Sequence, residues 1–486
     1  MLGLVTWVFL GANVAGPPPS PIAREFRAAW VATVDNIDWP SKRDLTPQAQ
    51  RREMIQILDT LQSLRMNAAI FQIRPSADAL YPSRIEPWSE YLTGRQGTPP
   101  VPEYDPLEFT IQEARKRGIE VHVWINPYRA NHPAQKGPLA ENHIGRTHPD
   151  FVETYARFLW MNPAEDFVQK RTLEVVRDVV RRYDIDGVHI DDYFYPYPVE
   201  GTPFPDADNY AAYRQGGGNL SLGDWRRKNV DDFVLALHKN IKSVKPWVRF
   251  GISPFGIYRP GVPAGIRAGV DQYDQLYADA LKWFREGWCD YYSPQLYWPI
   301  AQTAQSFPVL LNWWETQNAK RIHLWPGLFT SRTNPASGNW PAKEVTDQIA
   351  LIRGSRATGA VHFSMKALML DWNGIRSALR KTYAEVALPP ATTWIEAKRP
   401  EAPQMKENHS EGATWVMRVE SPNDPDVRLY AYSLGTASGG TVQWGSWRLS
   451  PSGSLRLTAA EGTNRVAVVA VDRVGNESSP LLAVRR

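Results

Sequence analysis

The sequence predicts an α/β fold, a (β/α)8 barrel of the TIM type over residues 24–388, with a separate β-sandwich over residues 389–486. Three observations predict it. From Arg24 to Ala387 short apolar runs alternate with longer amphipathic segments at the spacing of β/α units. The apolar runs number eight, the count that closes such a barrel. Polar and aromatic residues collect just after the carboxyl ends of these runs, where barrels of this kind carry their sites, while the opposite ends hold mainly Gly, Arg and Lys in turn contexts.

In order, Phe26 to Val34 reads as the first strand, and a helix follows from Pro47 to Leu64. Ala68 to Arg74 is the second strand, followed by a loop rich in Pro and Tyr and a helix from Pro106 to Arg117 that Gly118 ends. Ile119 to Asn126 is the third, and a long insert separates it from the helix Pro163 to Tyr183. Gly187 to Asp191 is the fourth, with a long loop and the helix Gly223 to Val244 behind it. Val248 to Ser253, Tyr291 to Leu296, Ile322 to Leu328 and Gly359 to Phe363 complete the set. Beyond Leu388 the pattern shortens to strands and turns at Gly412 to Val419, Val427 to Ser433, Gly440 to Leu449 and Asn464 to Val471. The closing run Arg465 to Ser478 resembles the last strands of fibronectin-type-III-like modules. A structural role is expected of this module, and Trp444 and Trp447 either pack or bind a ligand.

Hydrophobic residues at 43% and charged residues at 22% describe an ordinary globular protein, but 20 Trp, 20 Tyr and 16 Phe exceed what a core of this size needs. Flat apolar faces with polar edges suit sugar rings. The net charge of +4 comes without a basic stripe, which argues against nucleic acid as a partner. The first sixteen residues are apolar and end in small residues, as in a signal peptide whose basic lead is missing. Export to the periplasm, envelope or exterior is therefore expected, with residues 17–23 as a Pro-rich linker. No later stretch reaches the roughly 18 apolar residues of a membrane span. Cys289 is the single cysteine and excludes an internal disulfide framework. The oligomeric state stays open.

No cofactor or metal is expected. His122, His189 and His362 sit on different strands without a His-Glu-x-x-His or Cys pair, and the run Gly216-Gly217-Gly218 lacks the strand-to-helix context of a phosphate loop. Carboxylates remain, and a carboxylate pair is how glycosidic bonds are cut. The fourth apolar run ends in Asp191 and Asp192, followed by Tyr193, Phe194, Tyr195 and Pro196. Neighbours on a strand point to opposite faces, so both face one sugar only if the strand ends between them. Asp191 is assigned as nucleophile or charge stabiliser, and Asp192 as proton donor or orienting second carboxylate. Glu200, Asp206, Asp208 and Asp38 are the alternatives for the second role. Candidate substrate-binding residues at the strand ends are Trp39, Arg74, Asp78, Trp124, Asn126, Tyr128, Arg129, Tyr193, Tyr195, Gln295, Tyr297, Trp298, Trp325 and His362, with Thr33, Asp35, Asn36, Ser253 and Phe255 beside them. Each has a plainer reading: Arg74 can pair with an acid, Asn126 can close a turn, and His362 can be a hydrogen-bonded rim residue.

Several stretches together resemble a bacterial glycoside-hydrolase-like barrel family that includes the hydrolase of peptide-free peptidoglycan strands. They are Arg27 to Thr33 with Asn36 to Pro40, Gln72 to Tyr81, Val123 to Arg129, Asp186 to Pro196, Gly251 to Gly256 and Asp290 to Trp298. The resemblance covers residues 24–388. It implies a glycosidase barrel, often exported and sometimes fused to sandwich modules, with Asp191 and Asp192 at the catalytic centre and Arg74, Asn126, Gln295 and His362 around the sugar. Peptidoglycan glycan is the first expected substrate and another envelope or extracellular polysaccharide the second; a non-catalytic glycan-binding protein is the competing reading.

Overall fold

The computed structural model of the chain describes residues 17–438, 441–458 and 462–485, and the expected leader at 1–16 lies outside the described residues. Two compact units emerge, one spanning Arg24–Glu396 and the other joining the described residues before Arg24 to those from Ala397 onward. The expected linker therefore clusters with the sandwich. No helix among the described residues is long and apolar enough to cross a membrane.

The larger unit is built on a curled nine-stranded sheet. Its strands are β1 (Phe26–Val31), β2 (Ala68–Arg74), β3 (Glu120–Ile125), β4 (Gly187–Ile190), β5 (Arg249–Ile252), β6 (Tyr291–Tyr292), β7 (His323–Leu324), β8 (Gly327–Leu328) and β9 (Gly359–His362). They run in the order β7-β6-β5-β4-β3-β2-β1-β9-β8. The two edges are consecutive in the chain, parted by Trp325 and Pro326, so the sheet is barrel-like. The expected seventh strand, Ile322 to Leu328, thus appears as two pieces, because Pro326 has no N–H to give to a ladder.

Helices pack outside the sheet, and their starts are written in the sequence. Thr46 accepts a hydrogen bond from Ala49 N ahead of Pro47, and Asp105 accepts from Leu107 N and Glu108 N ahead of Pro106. Strands β1 and β2 are buried at every position, as expected of parallel strands covered on both faces. Their alternation divides two cores. Ala29, Val31, Ala69, Phe71 and Ile73 face the helices, while Phe26, Ala28, Trp30, Ala68 and Ile70 join Trp124, Tyr291, Trp325 and Val361 inside the curl. An insert after β3 forms a three-stranded antiparallel sheet of Arg129–Asn131, Phe158–Met161 and Val152–Tyr155.

The inner core also holds a polar chain. Trp30 Nε1–H donates to His189 Nε2 at 3.1 Å, His189 Nδ1 lies 3.1 Å from the Tyr291 hydroxyl, and that hydroxyl lies 3.0 Å from His122 Nδ1. His122 Nε2 is 3.1 Å from Glu120, which Arg249 holds at 2.9 Å. An indole only donates, so His189 Nε2 accepts from Trp30 and a neutral His189 donates from Nδ1 to Tyr291. Burial pushes the His189 pKa well below its ordinary value, in keeping with this. The Tyr291 ring has room because Gly251 opposes it; a Cβ there would lie 1.9 Å from the ring.

The smaller unit contains two antiparallel sheets. One pairs Gln404–Glu411, Thr414–Glu420 and Ser454–Thr458; the other pairs Thr441–Trp444, Val427–Ser438, Arg465–Asp472 and Leu481–Val484, with Arg448–Ser450 also on Val427–Ser438. Trp415, Met417, Val419, Leu455, Leu457, Val466 and Val468 form its core. The expected strand Gly440 to Leu449 is divided by Gly445-Ser446-Trp447, and Gly440 itself lies outside the described residues.

Candidate active site

Strand β4 ends at Ile190, one residue before the carboxylate pair. Asp191 and Asp192 are therefore free of the pleat, and both line one cavity of about 300 Å³ at the carboxyl end of the sheet. Among the described residues they are the only carboxylates that line it. Of the expected binding residues, Trp124, Arg129, Tyr193, Gln295 and Tyr297 are in its wall, and Ser253 joins them.

The two aspartates have different partners. Asp191 Oδ2 accepts from Trp124 Nε1 at 3.0 Å and from Asn126 Nδ2 at 2.6 Å, and Oδ1 accepts from Tyr193 N at 3.3 Å. The amide orientation of Asn126 follows from its neighbours. Gln72 Oε1 accepts from the backbone N–H of Thr33 and Val34, so Gln72 Nε2 must face Asn126 Oδ1, at 2.6 Å, and Asn126 Nδ2 must face Asp191. Arg129 Nη2 donates to the same Asn126 oxygen at 2.7 Å. Asp191 is thus surrounded by groups that only donate. Asp192 instead meets the Tyr197 hydroxyl, which can donate or accept, and the Gln295 amide.

Burial raises both aspartates above the ordinary carboxylate range, and the charge of Asp192 raises Asp191 further, against the opposing Arg129 and Asn126. Burial and mutual repulsion make it costly to ionise both members of such a pair at once. Such a pair can protonate a leaving oxygen with one member while the other meets the developing positive charge. His132, also in the wall, is pushed down to about 4 by burial and by Arg129, leaving Arg129 as the cation there.

The other expected binding residues do not line the cavity. Arg74 is fully buried and forked onto Glu86 at 2.7 and 2.6 Å, with Nη1 donating to Asn126 O and Pro127 O. Asp78 is buried and accepts from Ser76 N and Gln96. Trp39 packs edge-on to Phe71 with its N–H on Gln50 O, Tyr128 packs on Phe233, and Tyr195 packs between Phe204 and Tyr277. Trp298 meets Phe255 edge-on, and Trp325 stacks on Phe26 inside the curl. His362 is buried between Thr330 and Tyr383. Asn126 is buried as well and acts through Asp191. The alternative carboxylates lie elsewhere: Asp206 pairs with Arg226, Glu200 and Asp208 are exposed, and Asp38, pushed up to about 6 by burial, accepts from Ala32 N, Ser364 and Lys366 N. The sequence reading missed Trp30, Val34, Ile37, His132, Tyr197 and Phe363. Tyr197 had a signal only as one more aromatic residue in the run just after the aspartates.

Comparison with known proteins bears on this geometry. The profile described as glycosyl hydrolase-like 10 matches residues 25–342, more than half of the chain. The chain belongs to this family. It is a glycosidase-type enzyme. It is 41% identical to glycosyl hydrolase YngK of Bacillus subtilis (strain 168) over 425 residues, covering 84% of this chain and 82% of that protein. With glycosyl hydrolase DigH of Escherichia coli (strain K12) it shares 37% identity over 326 residues, or 63% of this chain and 73% of that one.

Proposed function

We propose that this glycosyl hydrolase-like 10 protein cuts glycosidic bonds in an exported setting, in peptidoglycan glycan freed of its peptides, with Asp191 as nucleophile or charge stabiliser and Asp192 as proton donor. The observation that carries the assignment is the contrast in partners. Three donor-only groups favour a charged Asp191, whereas the Tyr197 hydroxyl can accept a hydrogen bond from a protonated Asp192 as well as donate one to its carboxylate. The polymer is supported by an aromatic wall of Trp30, Trp124, Tyr193 and Tyr297 and by Arg129, because a stripped strand carries a free carboxylate on alternate sugars. The apolar, small-ended start of the sequence supports export.

Incubation with purified peptide-free glycan strands should release reducing ends and short muropeptide-free oligosaccharides, read by mass spectrometry. Release from another polysaccharide alone would move the substrate assignment and leave the hydrolase intact; saturable binding with no reducing ends from a broad panel would favour a glycan-binding role.

Tyr197→Phe tests the division of labour. Its hydroxyl donates to the charged form of Asp192, so its loss raises the Asp192 pKa further. A proton donor must be protonated, and the alkaline limb of kcat/KM should move up by about one pH unit, the scale of a single charge-assisted hydrogen bond. Movement of the acid limb instead would make Asp192 the group that works ionised.

A further inference from the structure

The segment Pro17-Pro18-Pro19-Ser20-Pro21 is held by two tryptophans of its own unit. Trp444 Nε1 donates to Pro17 O at 2.8 Å and Trp447 Nε1 donates to Ser20 O at 2.8 Å. The two accepting carbonyls are three residues apart, which is one turn of a polyproline II helix, about 9 Å. The chemistry matches on both sides. A run of prolines offers carbonyls and no N–H, and an indole offers an N–H and no acceptor beside a flat apolar face. Trp444 is also set in advance. It ends the strand Thr441–Trp444 opposite Gly435, and a Cβ at Gly435 would lie 2.8 Å from its ring, so the glycine leaves the indole its place on the neighbouring strand. Ile22, just beyond the prolines, is buried.

We propose that Trp444 and Trp447 form a recognition site for a polyproline II segment, and that this chain's own Pro17–Pro21 is its resident ligand. Recognition of this kind rests on a preformed ligand helix that loses little entropy on docking. Tethering supplies an effective concentration of about a millimolar, so a modest site is filled in the intact chain.

The test uses the full chain and the synthetic peptide Gly-Pro-Pro-Pro-Ser-Pro-Ile as probe, followed by the indole N–H resonances of Trp444 and Trp447. In the unaltered chain both N–H groups should exchange slowly and the peptide should bind weakly. In a chain carrying Pro17→Gly, Pro18→Gly, Pro19→Gly and Pro21→Gly the two N–H groups should exchange faster and the peptide should bind saturably. Adding Trp444→Phe and Trp447→Phe, which keeps an apolar ring and removes each N–H, should weaken that binding about tenfold or more. The proposal fails if both N–H groups exchange freely in the unaltered chain, if the peptide binds the phenylalanine variants equally well, or if it does not bind at all. It fails too if cell-wall oligosaccharides shift these two resonances where the peptide does not, for the surface would then be a sugar platform.

Discussion

Replacing Asp191 with asparagine is expected to lower kcat by about 10³-fold or more, the scale of a lost positioned acid or base, with KM for a glycan oligomer little changed. Asn keeps the shape and still accepts from Trp124 and Asn126, so the cavity wall stays in place. A loss of less than about tenfold would remove Asp191 from the chemistry. The same variant should be more stable than the parent above neutral pH. Burial and the neighbouring Asp192 raise the Asp191 pKa in the folded state, so at high pH the parent must keep ionised a group that the unfolded chain ionises freely. That penalty is full above the folded pKa and fades as the pH falls toward about 4, the ordinary carboxylate value. Melting temperatures of the two proteins at pH 8 and pH 4.5 should therefore differ at the first and converge at the second. Equal gaps at both would separate the stability effect from titration.

Arg74→Met is expected to destabilise the fold by about 3–5 kcal/mol, the cost of leaving a buried partner charge alone. Glu86, as buried as Arg74, would lose both of its guanidinium contacts, and the carbonyls of Asn126 and Pro127 would lose a donor. The double variant Arg74→Met, Glu86→Gln should recover much of the loss, because no unpaired charge remains. Urea unfolding of the three proteins measures this. A stable Arg74→Met protein with a KM raised at least about tenfold would return Arg74 to the sugar.

Periodicity and turn chemistry made the larger unit legible, since β/α spacing, capped helices such as that starting at Pro47, and apolar strands leave clear marks. The aspartate pair was legible because Asp191 and Asp192 break an apolar run. Side-chain direction past a strand end was not. Arg74, at the end of β2, turns to Glu86, which comes from the loop that follows. Tyr195 and Tyr197 are two residues apart, yet Tyr195 packs on Phe204 while Tyr197 reaches Asp192, because that loop follows no pleat. The strand Gln404–Glu411 went unseen for another reason: it is polar and mostly exposed, with no apolar alternation to mark it. The insert strands hid inside a long connection whose pairings are to each other.

The polar chain of Trp30, His189, Tyr291, His122 and Glu120, closed by Arg249, draws one member or more from β1, β4, β6, β3 and β5. It reaches across the curl between strands that are not neighbours in the backbone ladder. Slipping any of these strands by one residue would carry its member to the helix-facing side and open the chain at that point. Sheet closure depends on the stagger between strands, which backbone hydrogen bonds alone can satisfy in more than one way. Here the side chains choose among the staggers, so the same contacts that seat Trp30 in the cavity wall act as a key to the curvature of the whole sheet.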